Sequence, residues 1–299
     1  MRFLPPSNNF VFKALLVKNE ALVIDILNSF PEFGGDKKIT EIKILNPELP
    51  KSTDRDKASI LDIRAKDESG REFLIEMQGS PHPFFPERLL FYWSKVYGAG
   101  IQKGMKYSGL SRVYSITFLN ASLFKNTEDF HTTFLLLDKK TGKILLTDHL
   151  EMHILELEKV GKHLSKLETN LESWAYFFRE VHNLTEEPLQ EVRSKNPMIE
   201  KAIDELEYLS QDEKTRQLYE EQLKAEFDYN SGIYAAFRDG KLEGKQEGIL
   251  EGRLEGEQIG KIEKALETAR KMREFGDTLE KIILITGLSE SQLRENGIE

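Results

Sequence analysis

Two segments that alternate apolar and polar residues flank a short loop in the first third of the chain. The segments cover 60–66 and 71–78, and the loop is Glu68-Ser69-Gly70. Such alternation is typical of β-strands, and a three-residue hairpin loop favours a residue with positive φ in its last position, which is a glycine here. The loop therefore predicts a β-hairpin in which Asp67 pairs with Arg71.

Counting outward from this loop predicts that Asp62 lies opposite Glu76, with Gln78 on the same face. The other face is predicted to be apolar and consists of Leu61, Ile63, Ala65, Phe73, Ile75 and Met77. Two like charges directly opposite destabilise a sheet unless one carboxyl group holds a proton or a cation binds between them. Oxygen ligands of this kind suit Mg²⁺ or Mn²⁺. Spacing alone leaves open a solvated polar face with Arg64 or Lys66 as the counter-charge.

The remaining pattern predicts an α+β fold followed by helices. Helical spacing covers 10–30, strands are predicted at 39–45, 112–119 and 130–137, a long helix runs from Arg88 to Lys106, and helical patterns dominate from about Leu150. The predicted order is α-β-β-β-α-β-β, then helices. We place an α+β domain at 1–180, a helical region at 181–235, a repeat segment at 236–262 and a small helical segment at 263–299.

The repeat segment carries a glycine at every fourth position from Gly240 to Gly260. In a helix these glycines form a stripe, and each costs about 1 kcal/mol relative to alanine. Such a helix gains from a close partner helix, which predicts a homo-oligomer formed through the C-terminal helical region. The alternative is a low-complexity linker.

Composition and charge narrow the class of protein. The chain has no cysteine, which excludes disulfides, thiol nucleophiles and cysteine-ligated zinc, and is typical of a reducing cytoplasm. No apolar run is long enough for a signal peptide or a membrane span, so we expect a cytoplasmic protein with no membrane partner. The net charge is −9, yet residues 88–127 contain six basic residues and no acidic one, which predicts a local positive potential.

Several segments together resemble the recombination-promoting nuclease and transposase family of the PD-(D/E)XK nuclease superfamily. They are Ser59–Gln78, Asn9-Phe-Val-Phe-Lys13, Arg88-Leu-Leu-Phe-Tyr92, Lys103-Gly-Met-Lys-Tyr107, the glycine repeat and Ile285-Thr-Gly-Leu-Ser289. The resemblance covers nearly the whole chain and implies a restriction-endonuclease-like α/β core of order αβββαβ at 1–180. At Gln78 the chain departs from the superfamily motif, which has a lysine there, although glutamine at this position is familiar in the family. It also has Asn8 and Asn9 where many members have an aspartate.

This resemblance implies a DNA endonuclease that uses Mg²⁺ or Mn²⁺. Asp62 and Glu76 match the two metal-ligating acids, and the backbone carbonyl of Met77 would be a third ligand. Gln78 would orient water or a phosphate oxygen through its amide. Lys57 is the candidate for the cation that Gln78 does not supply.

The basic stretch after the hairpin provides candidates for DNA binding. Arg88, Tyr92 and Lys95 are spaced i, i+4 and i+7, which places them on one helix face, and Lys103 and Lys106 are predicted to extend it. Cations interleaved with tyrosines suit phosphate contacts. A solvated helix face is the alternative.

The sequence leaves two other hypotheses open. One is a catalytically weak or inactive DNA-binding or scaffold protein that retains the nuclease fold. The other is a strand-transferring transposase with an RNase-H-like acidic triad, which needs a third acid that the sequence does not single out. His149 and His153 are spaced i, i+4, but the order His-Glu-x-x-His of zinc proteases is absent, so we interpret them as surface or packing histidines.

Overall fold

A computed structural model describes residues 3–48, 61–79, 83–101, 103–161 and 167–298. Six strands form one mixed sheet in the order β1-β2-β3-β4-β6-β5. The strands are β1 (Ile42–Leu45), β2 (Ile63–Asp67), β3 (Glu72–Gln78), β4 (Val113–Leu119), β5 (His131–Leu135) and β6 (Leu150–Glu156). Strands β3, β4 and β6 are parallel, whereas β1 and β2 on one side and β5 on the other are antiparallel to their neighbours.

Helices pack on both faces of this sheet, and further helices follow along the chain. They are α1 (Asn9–Leu16), α2 (Glu20–Asn28), α3 (Phe85–Ala99), α4 (Asn170–Glu180), α5 (Glu186–Lys195), α6 (Pro197–Gln211), α7 (Glu213–Glu274), α8 (Leu279–Thr286) and α9 (Glu290–Glu295). The predicted class, an α+β core followed by helices, is confirmed. None of the helices in the described ranges is both long and apolar enough to cross a membrane.

The β2–β3 hairpin has the predicted register. Ile63 pairs with Ile75, the Gly70 N–H donates to the Asp67 carbonyl, and the Asp67 N–H donates to the Arg71 carbonyl. Gly70 has a φ of 88°, a conformation that glycine adopts without steric cost. The loop geometry therefore determines which residues of the two strands face each other.

The two faces of the sheet are covered by different helices, since successive strand residues point to opposite sides. The larger core joins α1, α2, α4, α5 and α6 to the strand face that holds Ile63, Ile75 and Phe118. The opposite face, which holds Leu74, packs against α3. Leu61 was predicted on the face of Ile63, and that is wrong. It precedes the strand and packs with Leu74 instead.

Two predicted elements differ from the structure. The helical pattern from Leu150 was wrong, because 150–156 form the buried strand β6; Leu, Glu and Met favour helices locally, and burial between two strands overrides that preference. The helix predicted up to Lys106 ends at Ala99. Gly98 lies in the last turn of the helix, Gly100 and Gly104 follow it, and Gly104 has a φ of 91°, which is incompatible with a continuing helix.

The chain divides into two compact units, Met1–Gln222 and Leu223–Glu299. The glycine repeat lies within helix α7. Apart from the backbone of its own helix turn and its chain neighbours, a Cβ atom built on any glycine from Gly240 to Gly260 would meet no atom of the described residues within 4 Å. At the C-terminal end, α8 and α9 pack around a small core of their own that includes Ile282 and Leu293.

Candidate active site

Asp62 lies just before β2, at the end of the hairpin far from its loop. Because β2 begins at Ile63, Met77 has a strand partner on β4, Phe118, but none on β2. Its N–H donates instead to Asp62 Oδ2 at 2.8 Å. Asn9 Nδ2 donates to Asp62 Oδ1 at 2.7 Å. Lys13 Nζ lies 3.0 Å from the same oxygen. Asp62 is only 6% exposed, so these three contacts compensate for its burial.

Glu76 is the second carboxylate of the site, and its environment differs. It is 9% exposed, and within the described ranges it forms no hydrogen bond or ion pair. Burial, followed by the nearby charge of Asp62, raises the pKa of Glu76, while Arg88 and Lys13 lower it, and the net result is a pKa of about 7. A carboxylate placed in this way favours either a proton or a bound cation.

Arg88 and Gln78 form the wall of the site on the side of α3. Arg88 Nη2 donates to Gln78 Oε1 at 2.5 Å, and Arg88 Nε is buried without a hydrogen-bond partner in the part of the chain that the structure describes. The alternative counter-charge, Arg64, pairs with Glu72 instead, at 2.7 Å. Arg88 therefore supplies the cation beside Gln78, at the position where the superfamily motif has a lysine.

Two further side chains complete the surroundings of Glu76. Thr117 pairs with Glu76 across the parallel β3–β4 ladder, and its buried Oγ1 has no hydrogen-bond partner within the described residues. Burial raises the pKa of Tyr92, which the charges of Glu76 and Asp62 also raise. The hydroxyl of Thr117 and the ring of Tyr92 therefore border the pair of acids.

The arrangement of a β-hairpin bearing two facing acids, set in a mixed sheet between helices, has a counterpart among known families. The family model described as PD-(D/E)XK nuclease family transposase matches residues 6–236. This chain belongs to that family. A search of curated proteins and of solved structures found no significant match to it.

PD-(D/E)XK nucleases generally use divalent metal ions, and the donor atoms here fit such an ion. Asp62 and Glu76 offer oxygen ligands only, as Mg²⁺ and Mn²⁺ prefer. The N–H and carbonyl of a strand residue point toward the same neighbouring strand, so the Met77 carbonyl faces the side on which Asp62 lies. The carboxylate of Glu76, which has no partner among the described residues, is the group that gains most from a cation.

In this PD-(D/E)XK family member, sequence reasoning missed two residues of the site, Lys13 and Thr117. Lys13 lies four positions after Asn9, and residues with this spacing share one helix face. Two polar residues on one face of an apolar helix were therefore the sequence signal that could have indicated Lys13. For Thr117 the signal was a pair of hydroxyl side chains, Ser115 and Thr117, at alternate positions of a mostly apolar strand. No sequence signal indicates that α1 contacts Asp62, because that contact is tertiary.

The remaining predicted residues occupy different surroundings. Lys57 lies outside the described residues. Lys95 is half-buried above the ring of Phe91, at 5.1 Å. Lys103 and Lys106 are exposed, but they follow the end of α3 and do not continue its face, contrary to the prediction.

Proposed function

We propose that the chain is a divalent-metal-dependent DNA endonuclease that hydrolyses phosphodiester bonds, associated with recombination or mobile elements. One observation carries the proposal: Glu76 is a buried carboxylate without a hydrogen-bond partner among the described residues, facing Asp62, with the cations Lys13 and Arg88 nearby. Membership of a nuclease family supports the reaction class.

Each residue of the site has a distinct role in the proposed reaction. Asp62, Glu76 and the Met77 carbonyl would hold Mg²⁺ or Mn²⁺. When bound, such an ion lowers the pKa of water and offsets charge that develops on the phosphate. Arg88 keeps Gln78 oriented toward the site, and the Gln78 amide positions a water molecule or a phosphate oxygen. Lys13 holds Asp62 in place and adds positive charge beside the substrate.

The DNA surface would begin at α3. Arg88 and Tyr92 lie at the site, and Lys95 lies two turns further along the same helix. Lys103 and Lys106 add exposed positive charge beyond the helix end. Contacts of this kind bind the phosphate backbone and carry no base specificity.

A catalytically weak or inactive scaffold is the second candidate, and one observation favours it. Asp62 already accepts hydrogen bonds from Asn9 and Met77 and pairs with Lys13, so its charge is compensated without a metal ion. Strand transfer by an acidic triad is less well supported, since no third acidic residue of the described part forms a cluster with Asp62 and Glu76.

Plasmid cleavage in Mg²⁺, Mn²⁺ or EDTA tests the main proposal. We expect metal-dependent cleavage by the wild type and none by Asp62→Asn or Glu76→Gln. Glu72→Gln is the matched control, because Glu72 is buried on the same strand but pairs with Arg64; it should retain cleavage wherever it is folded. Cleavage retained by both site variants would refute the assignment.

Electron paramagnetic resonance of added Mn²⁺ separates the two candidates. An active nuclease binds Mn²⁺ in the wild type and loses that binding in Glu76→Gln. A wild type that binds DNA but no Mn²⁺ would establish the scaffold function instead.

We also propose that the chain self-associates through the glycine stripe of α7. Glycines at this spacing allow close approach of a second helix, and Gly240–Gly260 have open space beside them. Light scattering on the full chain and on a chain truncated at about residue 235 tests this. Equal association states would mean that the repeat does not form an oligomer contact.

A further inference from the structure

A second group of potential metal ligands lies on the other face of the sheet. Glu151 and His153 are on β6, and Glu32 is in a short 3-10 turn, Pro31–Phe33, that follows α2. One donor atom from each of the three side chains lies within 4.8 Å of the other two. His153 pairs with Ile116 on β4 and Glu76 pairs with Thr117, so alternation places His153 and Glu76 on opposite faces. The two groups are therefore separate.

His153 is the central member of this group. Its side chain is fully buried, and its Nε2 has no hydrogen-bond partner among the described residues, although Glu151 Oε1 is 3.3 Å away. A buried ring nitrogen without a hydrogen bond is uncommon in folded proteins and requires an explanation.

The other ring nitrogen of His153 is already engaged. His153 Nδ1 lies 2.9 Å from His131 Nε2 on the neighbouring strand β5. Histidines that bind metals usually donate their second N–H to an acceptor, which fixes the ring and the tautomer. With the proton on Nδ1, His153 donates to His131 and directs the lone pair of Nε2 toward the two glutamates. The ring of Phe30 packs against both imidazoles and restricts their rotation.

The charges around this group are unbalanced. Glu32 Oε2 is buried and has no hydrogen-bond partner in the described ranges. No lysine or arginine of the described part forms an ion pair with Glu32 or Glu151. Two carboxylates and one imidazole lone pair thus converge without a cation, and a bound metal ion would satisfy all three.

We propose that Glu32, Glu151 and His153 form a structural site for a divalent transition-metal ion of the Zn²⁺ class. Imidazole nitrogen favours Zn²⁺ and related ions over Mg²⁺, and carboxylate oxygen completes a common ligand set. The site therefore selects a different ion from the all-oxygen site at Asp62 and Glu76. Bound there, the ion would fasten the turn after α2 to strand β6, next to the edge strand β5.

Zn²⁺ binding to the full chain, measured by equilibrium dialysis, tests the proposal in the background Asp62→Asn/Glu76→Gln, which removes the other acidic site. We expect one tightly bound Zn²⁺ per chain in this background. Adding Glu32→Gln and Glu151→Gln, which preserve side-chain shape, should weaken that binding at least about tenfold. Co²⁺ in place of Zn²⁺ should give visible absorption bands typical of nitrogen and oxygen ligands, and these should be lost in the same variant.

The control replaces two exposed glutamates instead, Glu41→Gln and Glu158→Gln, and should bind Zn²⁺ unchanged. If circular dichroism shows that the Glu32/Glu151 variant does not fold, Zn²⁺ binding by the single variant Glu32→Gln tests the proposal instead. Glu32 lies in a turn and not in the sheet, so this change should disturb the fold less. The same Zn²⁺ affinity in parent and variant would overturn the proposal, as would the absence of bound Zn²⁺ in the parent. Neither outcome depends on nuclease activity.

Discussion

Replacing Glu76 by glutamine should stabilise the metal-free protein at alkaline pH. Glu76 is buried, has no described hydrogen-bond partner and faces the charge of Asp62. Its ionised form therefore destabilises the folded state whenever no cation is bound. Glutamine has a similar shape and no charge.

The size of this gain in the free energy of unfolding follows from the pKa of Glu76. Folding raises that pKa from 4.5 to about 7, so between these values the folded state binds more protons than the unfolded state. The free energy of unfolding then falls as pH rises through this interval. The destabilisation of the folded state by ionised Glu76 reaches about 3 kcal/mol above pH 7, and it vanishes below pH 4.5.

Urea unfolding in EDTA at pH 5 and pH 8 measures this effect. The fluorescence of Trp93 and Trp174 reports on the unit Met1–Gln222 alone, since both tryptophans of the chain lie in it. We expect Glu76→Gln to exceed the wild type by up to about 3 kcal/mol at pH 8 and by much less at pH 5. Saturating Mn²⁺ should stabilise the wild type and leave the variant unchanged.

Glu72→Gln provides the matched control on the same strand. Glu72 is equally buried but lies 2.7 Å from the Arg64 guanidinium, so its neutralisation leaves a cation without a partner and should lower stability. If Glu76→Gln is no more stable than the wild type at pH 8, or if the difference between them is independent of pH, the account of this site is wrong.

Four further substitutions test individual contacts. Asn9→Asp adds a third acid beside Asp62 and should tighten Mn²⁺ binding about tenfold, the scale seen for groups that contact a metal ligand; weaker binding would contradict this. Gln78→Lys places a cation against Arg88 and should lower or leave unchanged the cleavage rate at saturating Mg²⁺, whereas a clear gain would show that the site lacks charge. Lys95→Ala should reduce the salt slope of DNA binding by about one without altering Mn²⁺ affinity. Arg88→Ala should change both the salt slope and the Mn²⁺ affinity. An unaltered slope for Lys95→Ala would place the DNA surface elsewhere.

The hairpin and its facing acids could be predicted because the information is local. A three-residue loop ending in Gly70 fixes the register, and the register places Asp62 opposite Glu76. The burial of this face could not be predicted, because it depends on α3 packing over the sheet. The pattern of residues within a strand does not reveal which helix covers it.

The errors have the same origin. Lys13 reaches Asp62 across 49 positions of sequence, and no local pattern signals such a contact. Strand β6 consists of residues that favour helices and becomes a strand because β4 and β5 provide backbone partners on both sides. His153 and Glu32 are brought together in the same way, by the packing of the turn after α2 against the sheet.

The hydrogen bond from the Met77 N–H to Asp62 affects how relatives of this chain can be interpreted. A relative that has lost its nuclease chemistry would still gain from keeping this aspartate, because an unsatisfied buried N–H costs about 1–3 kcal/mol. The aspartate alone is therefore a poor marker of activity in a genome survey. Glu76 forms no hydrogen bond among the described residues, so a relative that no longer cleaves DNA can replace it without losing a hydrogen bond. If Glu76 binds the proposed metal ion, its retention or loss should distinguish relatives that cleave DNA from relatives that do not.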